Sequence, residues 1–257
     1  WFTPNVSTIK RNTITTINIV DTYTPEDVTT VTDSWDASVA QDGSIMCYVE
    51  GTVLTIAGNG SGKIAANEDS SWMFSDIDKT DYFTILTELN NLSRIDFSTA
   101  TNFKAIFRNC LIVNLDVSGI DTSNVTTFHS AFRQCSKLVA LDLSSWDVSK
   151  CESLYAMFFD CSALTEVNVT GWNTPNLTTV DYLFDQCTKL QRFDATAFNA
   201  AKLTTMYCMF QNCSQLTELD VSGWNTSNAI NMSFAFWGCK GLTRLAVENW
   251  NVSNVEN

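Results

Sequence analysis

The sequence predicts an α/β fold in which short strand–turn–helix units repeat along the chain and stack into a solenoid. The main observation is a repeat of 26 residues that keeps several positions in phase over five units. Within each unit, a short alternating segment is typical of a strand, and an apolar stripe at helical spacing is typical of an amphipathic helix. A unit of this size cannot bury its own apolar face, so we expect neighbouring units to cover one another.

The repeat is defined by side-chain types that recur at the same place in each unit. Phenylalanine recurs at Phe132, Phe158, Phe184, Phe210 and Phe236, and cysteine recurs at Cys135, Cys161, Cys187, Cys213 and Cys239. Tryptophan recurs at Trp146, Trp172, Trp224 and Trp250, with Phe198 in the intervening unit. Phe74, with Ile77 in the cysteine position, indicates an earlier and irregular copy. Each recurring position predicts one column of side chains along the stack.

Each unit is predicted to contain a strand, a turn and a short helix, in that order. Alternation near Leu141 and Leu143 predicts a strand with both leucines inward. Residues 144–149 are rich in side chains that bond their own backbone, and they predict a turn. The stripe of the helix follows, on Leu154, Met157, Phe158 and Cys161. Stacked units would form a parallel sheet on one side and a row of helices on the other, which is the leucine-rich-repeat type of solenoid.

The region before the repeats is predicted to be β-rich. Alternation in the second half of residues 13–20 indicates a strand, and residues 45–49 and 52–57 around Glu50-Gly51 indicate a hairpin. We expect this hairpin to shield the open edge of the first unit, which would otherwise template aggregation. We predict three parts. Residues 1–33 form an N-terminal β segment for attachment or linkage, and residues 34–89 form a cap that contains the β-hairpin. Residues 90–257 form a solenoid whose repeat frame is still open at its end.

The composition argues against several classes of function. The chain has 15 Lys and Arg against 28 Asp and Glu, a formal net charge of −13, which disfavours nucleic acid as a partner. A single histidine, His129, leaves little room for a His-based triad or a multi-His metal site. No segment approaches the roughly 20 consecutive apolar residues that span a bilayer. We therefore predict no catalytic residue, no cofactor, no metal ligand set and no membrane insertion in this segment.

The outward side of the strands is the predicted binding surface. By alternation, its positions carry Asn114, Asp116, Asp142, Glu166, Asn168, Arg192, Asp194, Glu218, Asp220 and Arg244. Charges at one of the two outward positions alternate in sign down the stack, which is mildly stabilising, whereas Asp194 and Asp220 are of like charge. Two interpretations stay open. The aspartates bond backbone groups of the following turn, or they form an acidic docking surface for a basic patch or a bridging Ca²⁺ ion.

The cysteine and tryptophan columns also admit two interpretations each. Neighbouring strands lie about 4.8 Å apart, within the Cα separation of a disulfide. However, side chains in such a column point into the core, where Cys packs as a small hydrophobe, so we expect inert packing and regard metal binding as remote. The tryptophans could stack on carbohydrate, but their fixed place after the strand favours a buried aromatic spine.

The repeat phrase resembles that of a known class of surface proteins. Leu-Asp-Val-Ser-Gly-Trp-Asn-Thr-Ser-Asn at residues 219–228, followed by Phe236 and Cys239, resembles the repeat of BspA-like leucine-rich-repeat proteins. The resemblance covers about residues 90–257, and residues 34–71 resemble the cap that precedes such repeats. It implies cell-surface proteins of bacteria and some protists, with similar modules in phage proteins, and it implies adhesion or host recognition without catalysis. Residues 198–202 and Lys150 depart from the phrase, which predicts local bulges.

Two functional hypotheses follow from the repeat and its resemblance. The first is a non-enzymatic extracellular recognition module on a bacterial cell surface, an adhesin that binds a protein or glycan on another cell. The second is a structural protein of a phage virion, such as a fibre, tail or head-decoration arm involved in host attachment, where the chain would form a homo-oligomer. An enzyme is disfavoured, because the sequence shows no nucleophile–base or metal constellation. A signal peptide with an anchor would favour the first hypothesis, and an upstream capsid-binding domain would favour the second.

Overall fold

The first part of the chain forms a five-stranded mixed sheet in a computed structural model that describes residues 11–38, 40, 42–75, 83 and 85–256. Residues 1–10 of the predicted N-terminal segment and Ile77 lie outside the described residues. The sheet has the order β2-β3-β4-β1-β6, with β1 at Thr16–Val20, β2 at Val31–Asp36, β3 at Met46–Glu50, β4 at Val53–Ala57 and β6 at Glu88–Asn90. The strand predicted within residues 13–20 and the predicted hairpin, β3 with β4, are confirmed.

Strand β1 joins this sheet to the repeats. It runs parallel to β4 on one side and parallel to β6 on the other. The backbone N–H of Leu111 donates to the carbonyl oxygen of Leu86 at 2.9 Å, so the chain around β6 is already part of the stack. The edge that the hairpin was predicted to shield is therefore paired with β1, and the hairpin lies one strand further out.

From residue 64 onwards the chain winds in coils that stack in parallel. On one side, β5 (Ile64–Ala65) pairs with β7 (Ile95–Asp96), β8 (Ala140–Asp142) with β9 (Glu166–Asn168), and β10 (Glu218–Asp220) with β11 (Arg244–Ala246). On the other side, single parallel bridges link successive coils at Asp69, Asn102, Thr127, Ser153, Thr179, Thr205 and Asn231. The last five of these residues are 26 positions apart, so the predicted repeat sets the register of the stack.

The prediction of an α/β leucine-rich-repeat solenoid with a row of helices is wrong. The described residues contain no α-helix, and their three 3-10 helices have three residues each, at Arg11–Thr13, Leu92–Arg94 and Ala195–Ala197. The segment 154–161, where a helix was predicted, consists of successive tight turns. The N–H groups of Met157, Phe159 and Cys161 donate to carbonyl oxygens three residues earlier. Those of Ala156, Phe158 and Asp160 donate across to the next coil.

These turns require a left-handed backbone at every fourth residue. Ala156 has a φ of 53° and Asp160 has a φ of 58°, and the next coil repeats this at Tyr182 and Gln186. A right-handed α-helix excludes such residues. However, turns that repeat every four residues also bury side chains at spacings of three, four and seven. The stripe on Leu154, Met157, Phe158 and Cys161 is therefore buried as predicted, although its backbone is not helical.

The predicted columns fill the interior of the coils. Rings of successive coils stack nearly parallel, with centroids 5.2–6.0 Å apart, at Phe74, Phe107, Phe132, Phe158, Phe184, Phe210 and Phe236. Each indole N–H of the tryptophan column donates to a carbonyl oxygen of the previous coil, as Trp172 Nε1 does to Leu143 at 2.8 Å. The tryptophans thus form a structural spine, in which Trp146, Trp172 and Trp224 are buried and Trp250 is half-buried.

The two departures from the repeat phrase fit into the stack. Lys150 Nζ donates to Asn124 Oδ1 at 2.5 Å, and Lys202 Nζ donates to Asn176 Oδ1 at 2.8 Å. Thr179 still bridges Thr205 in the coil that contains Lys202, so the register is unchanged there. The irregularity lies on the strand side instead, where the 3-10 helix Ala195–Ala197 follows Asp194.

Candidate functional site

The ten predicted outward residues lie on one side of the stack, which we call the strand face. Nine of them are exposed and Glu166 is half-buried, whereas Leu141, Val167, Phe193 and Leu219 between them are buried. The members of the strand face are Asn114, Asp116, Asp142, Glu166, Asn168, Arg192, Asp194, Glu218, Asp220 and Arg244. The period of two within each strand produces this separation.

A groove of about 600 Å³ occupies the middle of the strand face. It is lined by β8, by β9 and by residues 192–194 of the next coil. Among the described residues, the segment 192–194 belongs to no sheet, so β8–β9 and β10–β11 are separate two-stranded sheets. The groove lies at this interruption, which the sequence repeat does not reveal.

An exposed ion pair lies across the groove. Arg192 Nε donates to Glu166 Oε2 at 3.0 Å, and the guanidinium Nη2 contacts the same oxygen. The two side chains are 80% and 46% exposed, so the pair stabilises the fold by only about 0–1 kcal/mol. It can therefore open to accept an ionic group from a ligand at little cost.

The aspartates of the strand face cap the turns that follow their strands. Asp142 Oδ1 accepts hydrogen bonds from Ser144 N at 2.9 Å and from Asn168 Nδ2 at 3.0 Å. Asp116, Asp194 and Asp220 accept from the backbone N–H and the hydroxyl two residues later. The hydrogen bonds from Ser144 lower the pKa of Asp142. The corresponding bonds from Ser118 and Ser222 lower the pKa values of Asp116 and Asp220. The hydrogen bonds of the first interpretation are thus observed, and they hold the carboxylates of Asp142 and Asp194 beside the groove.

The described residues of the strand face contain no cluster of three carboxylates for a bridging Ca²⁺ ion. The part of the chain that the structure describes contains no group of three or more His, Cys, Asp or Glu side chains that could hold a metal ion. Within the groove, Asn168 lies between Asp142 and Asp194, and its Nδ2 donates a hydrogen bond to Oδ1 of Asp142.

The cysteine column packs as expected. All nine cysteines of the chain are free, and eight of them are buried. Each thiol of the predicted column donates to a phenylalanine carbonyl of the previous coil, as Cys161 does to Phe132 at 3.0 Å. Burial raises the pKa of Cys161 and Cys187 well above the usual thiol value, which disfavours the reactive thiolate.

A second outward feature lies on the turn side and was not predicted. The rings of His129, Tyr155, Tyr182, Tyr207 and Phe234 follow one another with centroids 4.6, 5.5, 5.1 and 6.0 Å apart. Phe234 is exposed and the other four are half-buried. We call these five residues the aromatic row. They come from two adjacent positions of the repeat, His129, Tyr155 and Tyr207 from the first and Tyr182 and Phe234 from the second, so neither position is aromatic in every unit.

Comparison with known proteins gives one family. A family model described as "Mycoplasma protein of unknown function, DUF285" matches residues 68–192 and 152–257, which together span about three quarters of the chain. No curated protein and no solved structure matches the chain. No helix in the described part is long and apolar enough to cross a membrane.

Proposed function

This chain belongs to the DUF285 family, and we propose that it is a non-enzymatic recognition module whose strand face binds a basic partner. The observation that carries the proposal is the groove at the interruption of the strand face. Its volume of about 600 Å³ falls within the range of ligand sites and is large enough for side chains of a partner protein. The resemblance of the repeat phrase to adhesins supports a role on the outside of a cell.

The charges of the groove favour a cationic partner. Asp142, Glu166 and Asp194 line it, against a single cation, Arg192. The net charge of the whole chain is −13, so the surrounding field attracts cations and accelerates their approach. A lysine or arginine of the partner can replace Arg192 as the ion-pair partner of Glu166.

The groove is organised before a ligand arrives. Hydrogen bonds from Ser144 and Thr196 hold the carboxylates of Asp142 and Asp194, so little rotamer freedom is lost on binding. However, no exposed aromatic side chain lines the groove, and aromatic anchors supply most of the energy of tight interfaces. We therefore expect affinity to be modest and strongly dependent on salt.

The proposal is tested by removing two groove charges without removing their turn caps. Asn168 occupies the position of Asp142 and Asp194 in its own unit, and its Oδ1 accepts from Thr170 N at 3.1 Å. The double variant D142N/D194N should thus keep the fold. The probe is a fluorescein-labelled octalysine peptide, followed by fluorescence polarisation at about 0.1 M salt, where the Debye length is about 10 Å. We expect the Kd to rise by about five- to tenfold, because two nearby charges are lost.

The matched control is D121N/D147N, which removes the same charge from exposed turns. Asp147 caps a turn through Ser149, and the equivalent residues of later units are Asn173, Asn199, Asn225 and Asn251. This variant should leave the Kd within about twofold of the parent value. Equal weakening by both double variants would show that the peptide responds only to net charge, and the groove would then not be the binding site.

A further inference from the structure

The aromatic row is maintained in a way that a simple repeat would not produce. One outward ring comes from each of five successive coils, and each ring touches the next. Tyr155 and Tyr207 stand at one position of the repeat, and Tyr182 and Phe234 stand at the position after it. Where the later position is aromatic, the earlier one carries Asp181 or Ser233. A ring is therefore present in each of these five coils, although the repeat position that supplies it changes.

Two rings of the row stand on unfavourable backbone. Tyr182 has a φ of 58° and Phe234 has a φ of 59°, in the left-handed region that bulky side chains rarely adopt. Of the equivalent left-handed residues in other coils, Ala105, Ser130, Ala156 and Cys208 are small, whereas Trp72 in an earlier coil is also bulky. Strain of this kind persists where the surroundings hold it, and it is frequent at ligand sites.

The rings of the row are held in fixed orientations. Tyr182 packs edge-to-face on Tyr155 at 65° and on Tyr207 at 81°. The carboxylate of Asp181 accepts hydrogen bonds from Thr205 Oγ1 at 2.6 Å and from the backbone N–H of Tyr207 at 2.7 Å. A strip of preordered rings binds a ligand with little further loss of conformational entropy.

From this geometry we infer that the aromatic row is a binding strip for an unbranched neutral polysaccharide, separate from the strand face. The C–H faces of sugar rings are apolar and stack on aromatic side chains, and their hydroxyls bond to phenolic oxygens such as those of Tyr155, Tyr182 and Tyr207. The row advances by one ring per coil, so it presents successive contacts to a linear chain.

The charges along the row favour a neutral ligand. At one end, burial lowers the pKa of His129, and the positive charges of Lys104, Arg133 and Arg108 lower it further. In the middle, the carboxylate of Asp181 stands beside Tyr182. A polymer of either charge would meet a repelling field at one of these places, whereas a neutral chain meets neither.

The inference is tested by affinity electrophoresis of the full chain. Native gels contain hydroxyethylcellulose, laminarin, glucomannan or pullulan, or no polymer. We expect at least one polymer to retard the protein. The variant Y182A/Y207S installs residues that the chain itself carries at the equivalent positions, Ala156 and Ser233, so its fold should persist. It should raise the apparent Kd by about tenfold, because two stacking rings are lost.

Three further variants separate binding from structure. Y182F/Y207F keeps the rings and should keep most of the retardation, and Y155S should weaken it about threefold while leaving the Tyr182–Tyr207 contact in place. E152T changes an exposed residue of the turn side to the threonine found at positions 126, 178 and 204, and it should have no effect. The inference is overturned if no polymer retards the parent chain, if Y182A/Y207S and Y155S both bind as the parent does, or if E152T weakens binding equally.

Discussion

Asp185 is a buried carboxylate on the turn side of the stack. It is only 3% exposed, and its Oδ1 has no hydrogen-bond partner among the described residues. Desolvation raises its pKa from 3.8 to about 6, although hydrogen bonds from Gln186 and the charge of Arg133 oppose the shift. The folded chain therefore binds a proton here more tightly than the unfolded chain does.

This residue should make stability fall as the pH rises. The stability that protonated Asp185 contributes is complete below about pH 4 and is lost as the pH passes through about 6. D185N mimics the protonated form, so it should stabilise the fold by about 1 kcal/mol at pH 8 and by almost nothing at pH 4. Thermal unfolding at both pH values measures the difference.

The control for D185N is an aspartate whose pKa is shifted in the opposite direction. Hydrogen bonds from Ser222 lower the pKa of Asp220, so its contribution is present above about pH 4 and is lost as the pH falls. D220N should thus be neutral or slightly destabilising at pH 8. If D185N gave the same change in Tm at pH 4 and pH 8, Asp185 would not be a desolvated acid.

At the scale of the element, the tight turns of the coils can be distinguished from helices by substitution. Asn109 has a φ of 65°, and its N–H donates to the carbonyl oxygen of Arg133 in the next coil at 2.9 Å. Glycine adopts this conformation without strain, whereas alanine does not. N109G should therefore be neutral or stabilising, and N109A should destabilise the fold by about 1 kcal/mol.

A helix at this position would reverse that order. In a helix interior, alanine is the most favourable residue and glycine is about 1 kcal/mol worse. Denaturant unfolding of the parent, N109A and N109G gives the order directly, with S162A and S162G as controls at a residue without positive φ. A more stable N109A than N109G would contradict the turn structure.

These turns also explain which elements could be predicted from the sequence. A strand period of two and a hairpin around Gly51 are local signals, and both elements were predicted correctly, although the turn lies at Gly51-Thr52 and not at Glu50-Gly51. The buried columns were also correct, because burial at each position depends only on the repeat. The prediction of helices was wrong because a turn that repeats every four residues and a helix with 3.6 residues per turn both bury Leu154, Phe158 and Cys161 on the same side. The turns differ from a helix in their inter-coil hydrogen bonds, and these bonds do not change the spacing of apolar residues in the sequence.

At the scale of the whole molecule, the two candidate surfaces follow from contacts between coils. Alternation was sufficient to place Glu166 and Arg192 on one outward face, but the groove depends on the break in pairing at residues 192–194. The aromatic row was missed because its members shift between adjacent positions, and only the stacking of coils brings Tyr182 and Tyr207 together. Both surfaces are properties of the stack and of no single unit.

The coils of the whole chain consist of strands and stacked turns, with inter-coil hydrogen bonds in place of helices. Far-UV circular dichroism of the full chain tests this structure most directly, because helices dominate such spectra even at modest content. We predict a weak spectrum of the strand-and-turn type, without the helical double minimum. A double minimum of the strength expected for one short helix per 26-residue unit would contradict this structure.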